Sequence, residues 1–182
     1  AGVPEALQAR SATRCRRGDR WRWDGVKFSV MHPEETGRRE GNNASCVIRI
    51  EAGGGQRVLL TGDIESASEQ LLLRDLQEQL RAEVVIAPHH GSLTSSSRAF
   101  VGAVNPDYAL FPVGYRNRYH FPRAEVVGRY RAVGAEIYNT ARHGAITLRL
   151  PADDRAIEIA SWRCANTRFW RQPNNRFGWC DK

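Results

Sequence analysis

The fold is decided by two runs of sequence, RVLLTGD at 57–63 and AEVVIAPHHGS at 82–92. Each contains consecutive apolar residues, typical of a strand that is covered on both faces, and each ends in a glycine-containing polar turn. Between the two runs, apolar residues recur at helical spacing from Ile64 to Leu80. The order of strand, helix and strand predicts an α/β fold in which the two strands are parallel neighbours.

The flanking sequence extends this pattern in both directions. Before residue 57, alternating apolar residues predict a strand over 26–31 after a turn at 21–25, and a strand over 44–51 after a polar loop at 34–43. After residue 92, helices are predicted at 95–104 and 123–133, strands at 108–113 and 136–140, and a final hairpin at 144–150 and 155–161. We therefore expect one domain, residues 1–182, with a mixed sheet, helices and β-rich ends.

Composition agrees with a single globular domain. Of the 182 residues, 41% are apolar and 26% are charged, which argues against a disordered or collagen-like chain. No stretch approaches the roughly 20 apolar residues that a membrane-spanning helix needs, and the N-terminus lacks a basic and then apolar signal segment. We expect the chain to be soluble and, since it begins with Ala1 rather than Met, to be a piece of a larger protein.

Arginine supplies nearly all of the positive charge. The formal net charge is +7, and only Lys27 and Lys182 are lysines among 27 basic residues. Guanidinium groups bind phosphate oxygens bidentately, so this composition favours partners that carry phosphate; a genome whose codons favour Arg is the alternative. Arginines and aromatic rings also alternate in a basic aromatic tail at about 163–182, where the rings either stack on bases or pack on the protein.

The four cysteines do not form a zinc-ribbon pattern. Cys15, Cys46, Cys164 and Cys180 include no C-x-x-C pair. They form two disulfides in an oxidising compartment or remain thiols in the cytosol. Three pairings are possible, and the count alone does not choose among them.

Polar side chains follow the two apolar strands. Asp63 comes after the first strand, and His89 and His90 come after the second. The carboxyl ends of parallel neighbours meet at one sheet edge, where a carboxylate and one or two imidazoles form a metal-binding set. The alternatives are a helix N-cap for Asp63 and a polar turn for the histidines.

The sequence resembles a known family over about residues 15–162. The runs LLTGDIE (59–65) and PHHGS (88–92), with serines at 95–97, resemble the C-terminal metallo-β-lactamase-like domain of the ComEC family, the inner-membrane DNA-uptake channels of competent bacteria. Further similar runs follow in the same order: CRRGDRWRWDGV (15–26), NNASCV (42–47), GYRNRYHFP (114–122) and Thr140 with GAI (144–146). An ordered set of this kind is more specific than any single motif.

The resemblance implies half of a metal-binding domain. Such domains begin with an H-x-H-x-D-H motif that supplies most ligands of two divalent ions, Zn²⁺ or Mn²⁺, and this chain lacks the motif. The implied fold is therefore the C-terminal half of a metallo-β-lactamase-like αβ/βα sandwich. By the same resemblance, Asp63 matches the bridging carboxylate and His89 or His90 matches the last histidine ligand. We prefer His89, because it comes first after the strand.

In the complete domain, the implied activity is two-metal hydrolysis of a phosphodiester, which would degrade the DNA strand that the channel does not transport. His120 is a candidate to bind phosphate or protonate the leaving oxygen, with an exposed loop residue as the alternative. Arg116 and Arg118 are candidates for nucleic-acid contact. The implied partners are single-stranded DNA, the upstream half of the domain and the membrane channel. The domain is expected on the non-cytoplasmic side of the inner membrane.

A non-catalytic DNA-binding or structural module is the alternative function. The missing ligands favour it for this chain, which we expect to be inactive in isolation. The serines at 92 and 95–97 are expected to cap the following helix, with donation to phosphate as the alternative. No G-x-S-x-G motif indicates a serine hydrolase, and we interpret His32 and His143 as ordinary polar residues. We also expect Cys15 and Cys46 to lie on neighbouring strands and to pair, because sequential strands are often adjacent and a non-cytoplasmic domain permits oxidation.

Overall fold

The computed structural model describes residues 14–34, 40–153 and 155–166, and within them the main element is a sheet of seven strands. The strands are β1 (Arg20–Trp23), β2 (Val26–His32), β3 (Val47–Glu51), β4 (Arg57–Leu60), β5 (Val84–Ile86), β6 (Tyr108–Phe111) and β7 (Glu136–Asn139). They lie side by side in chain order. Pairing is antiparallel from β1 to β4 and parallel from β4 to β7, so the sheet is mixed, as the sequence predicts.

Helices connect the parallel strands, and a separate hairpin follows them. The helices are α1 (Ser66–Leu76), α2 (Arg98–Val104), α3 (Ala124–Ala132), α4 (Thr140–His143) and α5 (Trp162–Ala165). The hairpin pairs β8 (Ile146–Arg149) with β9 (Glu158–Ser161) in antiparallel register. The α/β class with β-rich ends is therefore confirmed.

Strand alternation divides the apolar residues between the two faces of the sheet. Leu59, Val85 and Ala109 are fully buried against the helices, together with Phe100 of α2 and Tyr130 of α3. Their neighbours along the strands point to the opposite face of the sheet; these are Val58, Val84 and Leu110. Side chains of the β8–β9 hairpin and its flanks pack on them. Because β4 to β6 are apolar on both faces, their sequences read as unbroken apolar runs rather than as alternating ones.

Three local interpretations of the sequence are wrong. The predicted turn at 21–25 is mostly strand β1, since only Asp24 and Gly25, both with positive φ, form the turn of a two-residue hairpin. Ala44 belongs to a short 3-10 helix (Gly41–Ala44), and β3 begins only at Val47. The helix predicted from residue 95 begins at Arg98, because Ser97 is its N-cap and accepts a hydrogen bond from the backbone N–H of Phe100 at 3.3 Å.

His32 and His143, which the sequence alone presents as ordinary polar residues, are buried. His32 is 1% exposed and donates from Nε2 to the carbonyl oxygen of Asn43 at 2.9 Å. His143 is 3% exposed, and its Nδ1 accepts from the backbone N–H of Asn139 at 3.0 Å. Both imidazoles have protein partners, which makes their burial possible.

Cys15 and Cys46 form a disulfide, as predicted, with Cα atoms 6.0 Å apart. Neither cysteine lies within a strand: Cys15 precedes β1 and Cys46 directly precedes β3. Cys164 is also disulfide-bonded. Most of the predicted basic aromatic tail, from residue 167 onward, lies outside the described residues. Among the helices of the described ranges, none has both the length and the apolar character required to span a bilayer.

Candidate metal centre

The two polar turns predicted to meet are joined by hydrogen bonds. β4 and β5 are parallel neighbours, with Leu60 opposite Ile86 at their carboxyl ends. Beyond them, Thr61 Oγ1 donates to the carbonyl oxygen of Ile86 at 2.6 Å, and the backbone N–H of His89 donates to the carbonyl oxygen of Gly62 at 3.1 Å. These bonds hold the turn before Asp63 against the turn Pro88–Gly91, which we call the histidine turn.

Asp63 is positioned by a glycine turn and by the loop before β3. Gly62 has φ +57°, and a Cβ there would lie only 2.8 Å from Cβ of Ser45, so a larger residue does not fit. The backbone N–H of Asp63 donates to Ser45 Oγ at 3.1 Å. The N-cap residue of α1 is Glu65 rather than Asp63, so the Asp63 carboxylate is not used for helix capping.

His90, rather than His89, faces the Asp63 carboxylate. His90 Nε2 lies 3.5 Å from Asp63 Oδ1, and each side chain is 44% exposed. His90 Nδ1 lies 2.8 Å from the carbonyl oxygen of Pro112. A carbonyl only accepts, so Nδ1 donates this bond, and Nε2 is the ring nitrogen on the side of Asp63. The predicted convergence of carboxylate and imidazole is confirmed.

His89 is held by protein groups on both ring nitrogens. Its Nδ1 lies 3.2 Å from Glu65 Oε1 and 3.3 Å from Thr94 Oγ1, and its Nε2 lies 3.4 Å from Asn42 Nδ2. Thr94 Oγ1 also donates to Glu65 Oε1 at 2.9 Å. Sequence analysis gave no role to Asn42, Glu65 or Thr94, although all three lie in or beside the runs that carry the family resemblance.

The histidine turn has an unusual backbone conformation. His89 (φ 47°), His90 (φ 56°) and Gly91 (φ 85°) lie consecutively in the left-handed region. Non-glycine residues seldom adopt it, and two in succession store strain that the surrounding contacts must offset. Such strain is concentrated at functional sites, and in this turn the two imidazoles have different partners.

A buried carboxylate of α1 holds the backbone of the serine segment at 95–97, which follows this turn. Glu69 of α1 is fully buried and accepts from the backbone N–H groups of Ser96 and of Ser97, the latter at 2.8 Å. Burial raises the pKa of Glu69 above its ordinary value, although these hydrogen bonds oppose the shift. Arg129 of α3 donates to the carbonyl oxygens of Ser95 (3.1 Å) and Ser96 (2.9 Å). This support has no motif that sequence analysis could recognise.

The remaining predicted site residues lie on the exposed loop that connects β6 to α3, called here the loop after β6. They are Arg116, Arg118 and His120. Arg118 donates to the Tyr119 hydroxyl at 2.6 Å, and its guanidinium carbon is 4.8 Å from that ring's centroid. Tyr119 stacks on Phe121 at 5.6 Å, and Phe121 meets the His89 ring edge-on at 5.9 Å. Exposed Arg116 and His120 line a cavity on this loop. The loop therefore contacts the histidine turn through Phe121.

The donor set suits a divalent metal but is incomplete. A carboxylate and an imidazole whose Nδ1 proton is held by a carbonyl form the usual arrangement of a metal-ligating pair and its supporting hydrogen bond. Within the described residues, however, no group of three or more His, Cys, Asp or Glu side chains is placed to hold an ion. Asp63 and His90 thus have the chemistry of two metal ligands, and the described residues place no third ligand side chain beside them.

Comparison with known proteins gives relatives over most of the chain, while no protein-family profile matches it. Competence protein ComA of Neisseria gonorrhoeae is 39% identical over 150 residues, which cover 82% of this chain and 21% of that protein. Recombination protein 2 of Haemophilus influenzae is 34% identical, over 81% of this chain and 18% of that protein. ComE operon protein 3 of Bacillus subtilis is 31% identical, over 74% and 17% respectively.

The chain is a homologue of ComEC-family competence proteins. It spans about a fifth of the length of these relatives. An alignment over 82% of 182 residues necessarily contains residues 40–140. The Asp63–His90 pair and the loop after β6 therefore lie inside the part that is shared with the ComEC family.

Proposed function

We propose that the chain is part of a metal-dependent phosphodiesterase domain in a ComEC-like DNA-uptake protein, which hydrolyses the strand that is not transported. The observation that carries the proposal is the 3.5 Å approach of His90 Nε2 to Asp63 Oδ1 at the carboxyl ends of parallel strands. The names of the homologues, which refer to competence and recombination, make DNA the substrate to test.

Each residue of the cluster has a distinct role in this proposal. Asp63 and His90 would be ligands, because carboxylate oxygens and imidazole nitrogens bind divalent metals and Nε2 of His90 lies on the side of Asp63. His89 is a positioning residue that holds the turn through Glu65 and Thr94. Arg116 and Arg118 bind the DNA backbone, and His120 is the candidate to donate a proton to the leaving oxygen.

The centre is completed by ligands from the upstream half of a metallo-β-lactamase-like domain in the parent protein. A pair of divalent ions, Zn²⁺ or Mn²⁺, supplies Lewis-acid stabilisation of the attacking and leaving oxygens of the phosphodiester when bound. The Cys15–Cys46 disulfide supports an oxidising, non-cytoplasmic location for this part of a membrane-anchored parent.

A longer chain that restores the upstream half tests the proposal against labelled single-stranded DNA with Mn²⁺ or Zn²⁺. The 182-residue chain should cleave at least about 100-fold more slowly, since even groups that only support metal ligands contribute 10- to 100-fold. In the longer chain, Asp63→Asn and His90→Ala should abolish hydrolysis, whereas His89→Ala should lower it by about 10- to 100-fold.

Asp107→Asn is the matched control. Asp107 is exposed and precedes β6, so it lies at the sheet edge opposite to Asp63. The proposal fails if Asp63→Asn cleaves as fast as Asp107→Asn. If neither chain cleaves and both bind DNA, the non-catalytic DNA-binding module is the correct function.

A further inference from the structure

A second concave surface lies beside the candidate centre, on the loop after β6. It is a cavity of about 660 Å³ between this loop, α3 and α4. The polar and aromatic residues of its lining include Tyr115, Arg116, His120, Arg131, Asn139 and Arg142. Its volume lies within the range of sites that bind small molecules or single units of a polymer.

The cavity has a basic rim and an apolar floor. Its described lining contains three arginines and no acidic residue. The floor includes Phe121, Val127 and Ile137, which pack on the helix-side core. A small inorganic anion would use only the rim, whereas a ligand with a phosphate and a flat apolar part matches both regions.

The loop that forms one wall is internally braced. Asn117 Nδ2 donates to the carbonyl oxygens of Gly114 (3.2 Å) and Phe121 (2.8 Å), while its Oδ1 accepts from the backbone N–H of Phe121 at 2.9 Å. The loop presents Tyr115, 70% exposed, with the Arg116 guanidinium carbon 5.3 Å from its ring centroid. An exposed ring next to a cation is the arrangement with which proteins stack an unpaired base and hold its backbone.

The cavity and the candidate centre share this loop. At one end of the loop, the Pro112 carbonyl accepts from His90 at 2.8 Å. Near the other end, Phe121 contacts the His89 ring and also lines the cavity. The candidate centre and the cavity are thus connected through the two ends of one loop.

We propose that the cavity binds one nucleotide of single-stranded DNA, with its phosphate on Arg116, Arg131 and Arg142 and its base against Tyr115. This inference rests on the proposed function and specifies its substrate as an unpaired strand, because a base that is stacked in a duplex has no free face for Tyr115. Arg131 and Arg142 also interact with protein groups. A guanidinium has five N–H donors and can bind phosphate while it keeps such a contact.

Anisotropy of a fluorescent 12-nucleotide oligo-dT, measured on the full 182-residue chain in EDTA, tests this assignment without hydrolysis. Arg131→Ala with Arg142→Ala should weaken binding roughly tenfold. The slope of log K against log salt should fall in magnitude by about 1.4, because each single-strand phosphate contact contributes about 0.7. Tyr115→Ala should weaken binding about fivefold or more and leave that slope unchanged.

Arg98→Ala with Arg149→Ala is the control, since it removes the same charge from exposed positions on α2 and β8. Equal affinities and slopes for the two double variants would overturn the proposal. Inorganic phosphate competing as well as dTMP would also overturn it, because the cavity would then be a plain anion site. If the alanine pair fails to fold, Arg131→Lys with Arg142→Lys should give an intermediate loss of affinity, and an unchanged affinity would again overturn the proposal.

This binding measurement does not depend on the metal centre. Normal oligo-dT binding by the cavity variants, together with loss of hydrolysis in Asp63→Asn of the longer chain, would reject the nucleotide site in the cavity and keep the proposed phosphodiesterase. The reverse pattern, pocket-dependent binding without hydrolysis in any chain, would keep the cavity and reject the phosphodiesterase.

Discussion

At the scale of single residues, Gly91 is one of the points where the histidine turn packs closely against β6 and the loop after it. A Cβ at Gly91 would lie 2.7 Å from Cβ of Pro122 and 2.8 Å from Cδ1 of Phe111, and φ is +85°. We expect Gly91→Ala to lower the free energy of unfolding by about 2 to 4 kcal/mol, since overpacking and a left-handed alanine are both unfavourable. Urea unfolding followed by circular dichroism measures the change.

Gly128 provides the matched control for that substitution. It lies inside α3, and a Cβ there would meet nothing within 4 Å. Gly128→Ala should therefore raise the free energy of unfolding by about 0.5 to 1 kcal/mol, the propensity difference inside a helix. Equal effects of the two substitutions would show that the contacts of Gly91 do not constrain the turn.

The difference between His89 and His90 could not be predicted from the sequence. Both follow the same strand, and the preference for His89 used only its position after β5. The structure shows that ring orientation depends on two left-handed residues and on a carbonyl of another loop, Pro112. Asp63 was easier to predict, because the strand before it and the helix after it have clear periodicity.

At the scale of elements, a hydrogen-bonded ion pair joins β4 to the start of β5. Glu83 accepts from Arg57 at the backbone N–H (2.7 Å) and at Nη2 (2.8 Å), and its side chain is 19% exposed. Burial favours a higher pKa for the Glu83 carboxyl, but the hydrogen bonds and the charge of Arg57 outweigh it, so the pKa lies below the ordinary value.

A pH-dependent contribution to stability follows from this pair. Because the pKa is lower in the folded state, the stabilisation is present above the unfolded pKa of about 4.3 and is lost as the pH falls through the folded pKa. Glu83→Gln should lower the free energy of unfolding by about 1 to 3 kcal/mol at pH 7. The difference from the wild type should shrink as the pH falls below about 4.

Glu158→Gln gives the comparison for a cross-strand pair in solvent. Glu158 Oε2 lies 3.9 Å from Arg149 Nη1, and both side chains are more than half exposed. Its removal should leave the free energy of unfolding nearly unchanged at either pH. A loss for Glu83→Gln that is the same at pH 7 and pH 3 would contradict the assigned role of the carboxylate charge.

The sequence predicted strands and helices well where apolar residues kept one period over the whole element. It predicted them poorly where a turn determined the end of the element. The strands β4 and β5 and the helix between them were identified because apolar runs and helical spacing are long-range patterns. The sequence predicts a turn in place of strand β1, because the alternating Arg and Trp residues of that strand are exposed and only the Asp24–Gly25 dipeptide indicates the hairpin. The short helices α4 and α5 are too brief to show a period.

At the scale of the whole molecule, the sequence predicted that the two polar turns meet at one edge of the sheet, and the structure confirms this. The metal centre itself stays a prediction, and the described residues place no third ligand side chain beside Asp63 and His90. The basic cavity was not predicted, because Arg116, Arg131 and Arg142 come from three separate segments that only the fold brings together.

The disulfide is the longest-range covalent constraint among the described residues, and its removal should affect the whole domain. Cys15 and Cys46 are 31 residues apart, and the loop that they close contains β1 and β2. Loop-closure entropy predicts a loss of about 3 to 4 kcal/mol in the free energy of unfolding for Cys15→Ser with Cys46→Ser. Because no cysteine of the described residues is free, thiol titration of the oxidised, denatured wild type should detect none of Cys15, Cys46 and Cys164. Reactive thiols in that titration, or unchanged urea unfolding of the double variant, would contradict the role of the cross-link.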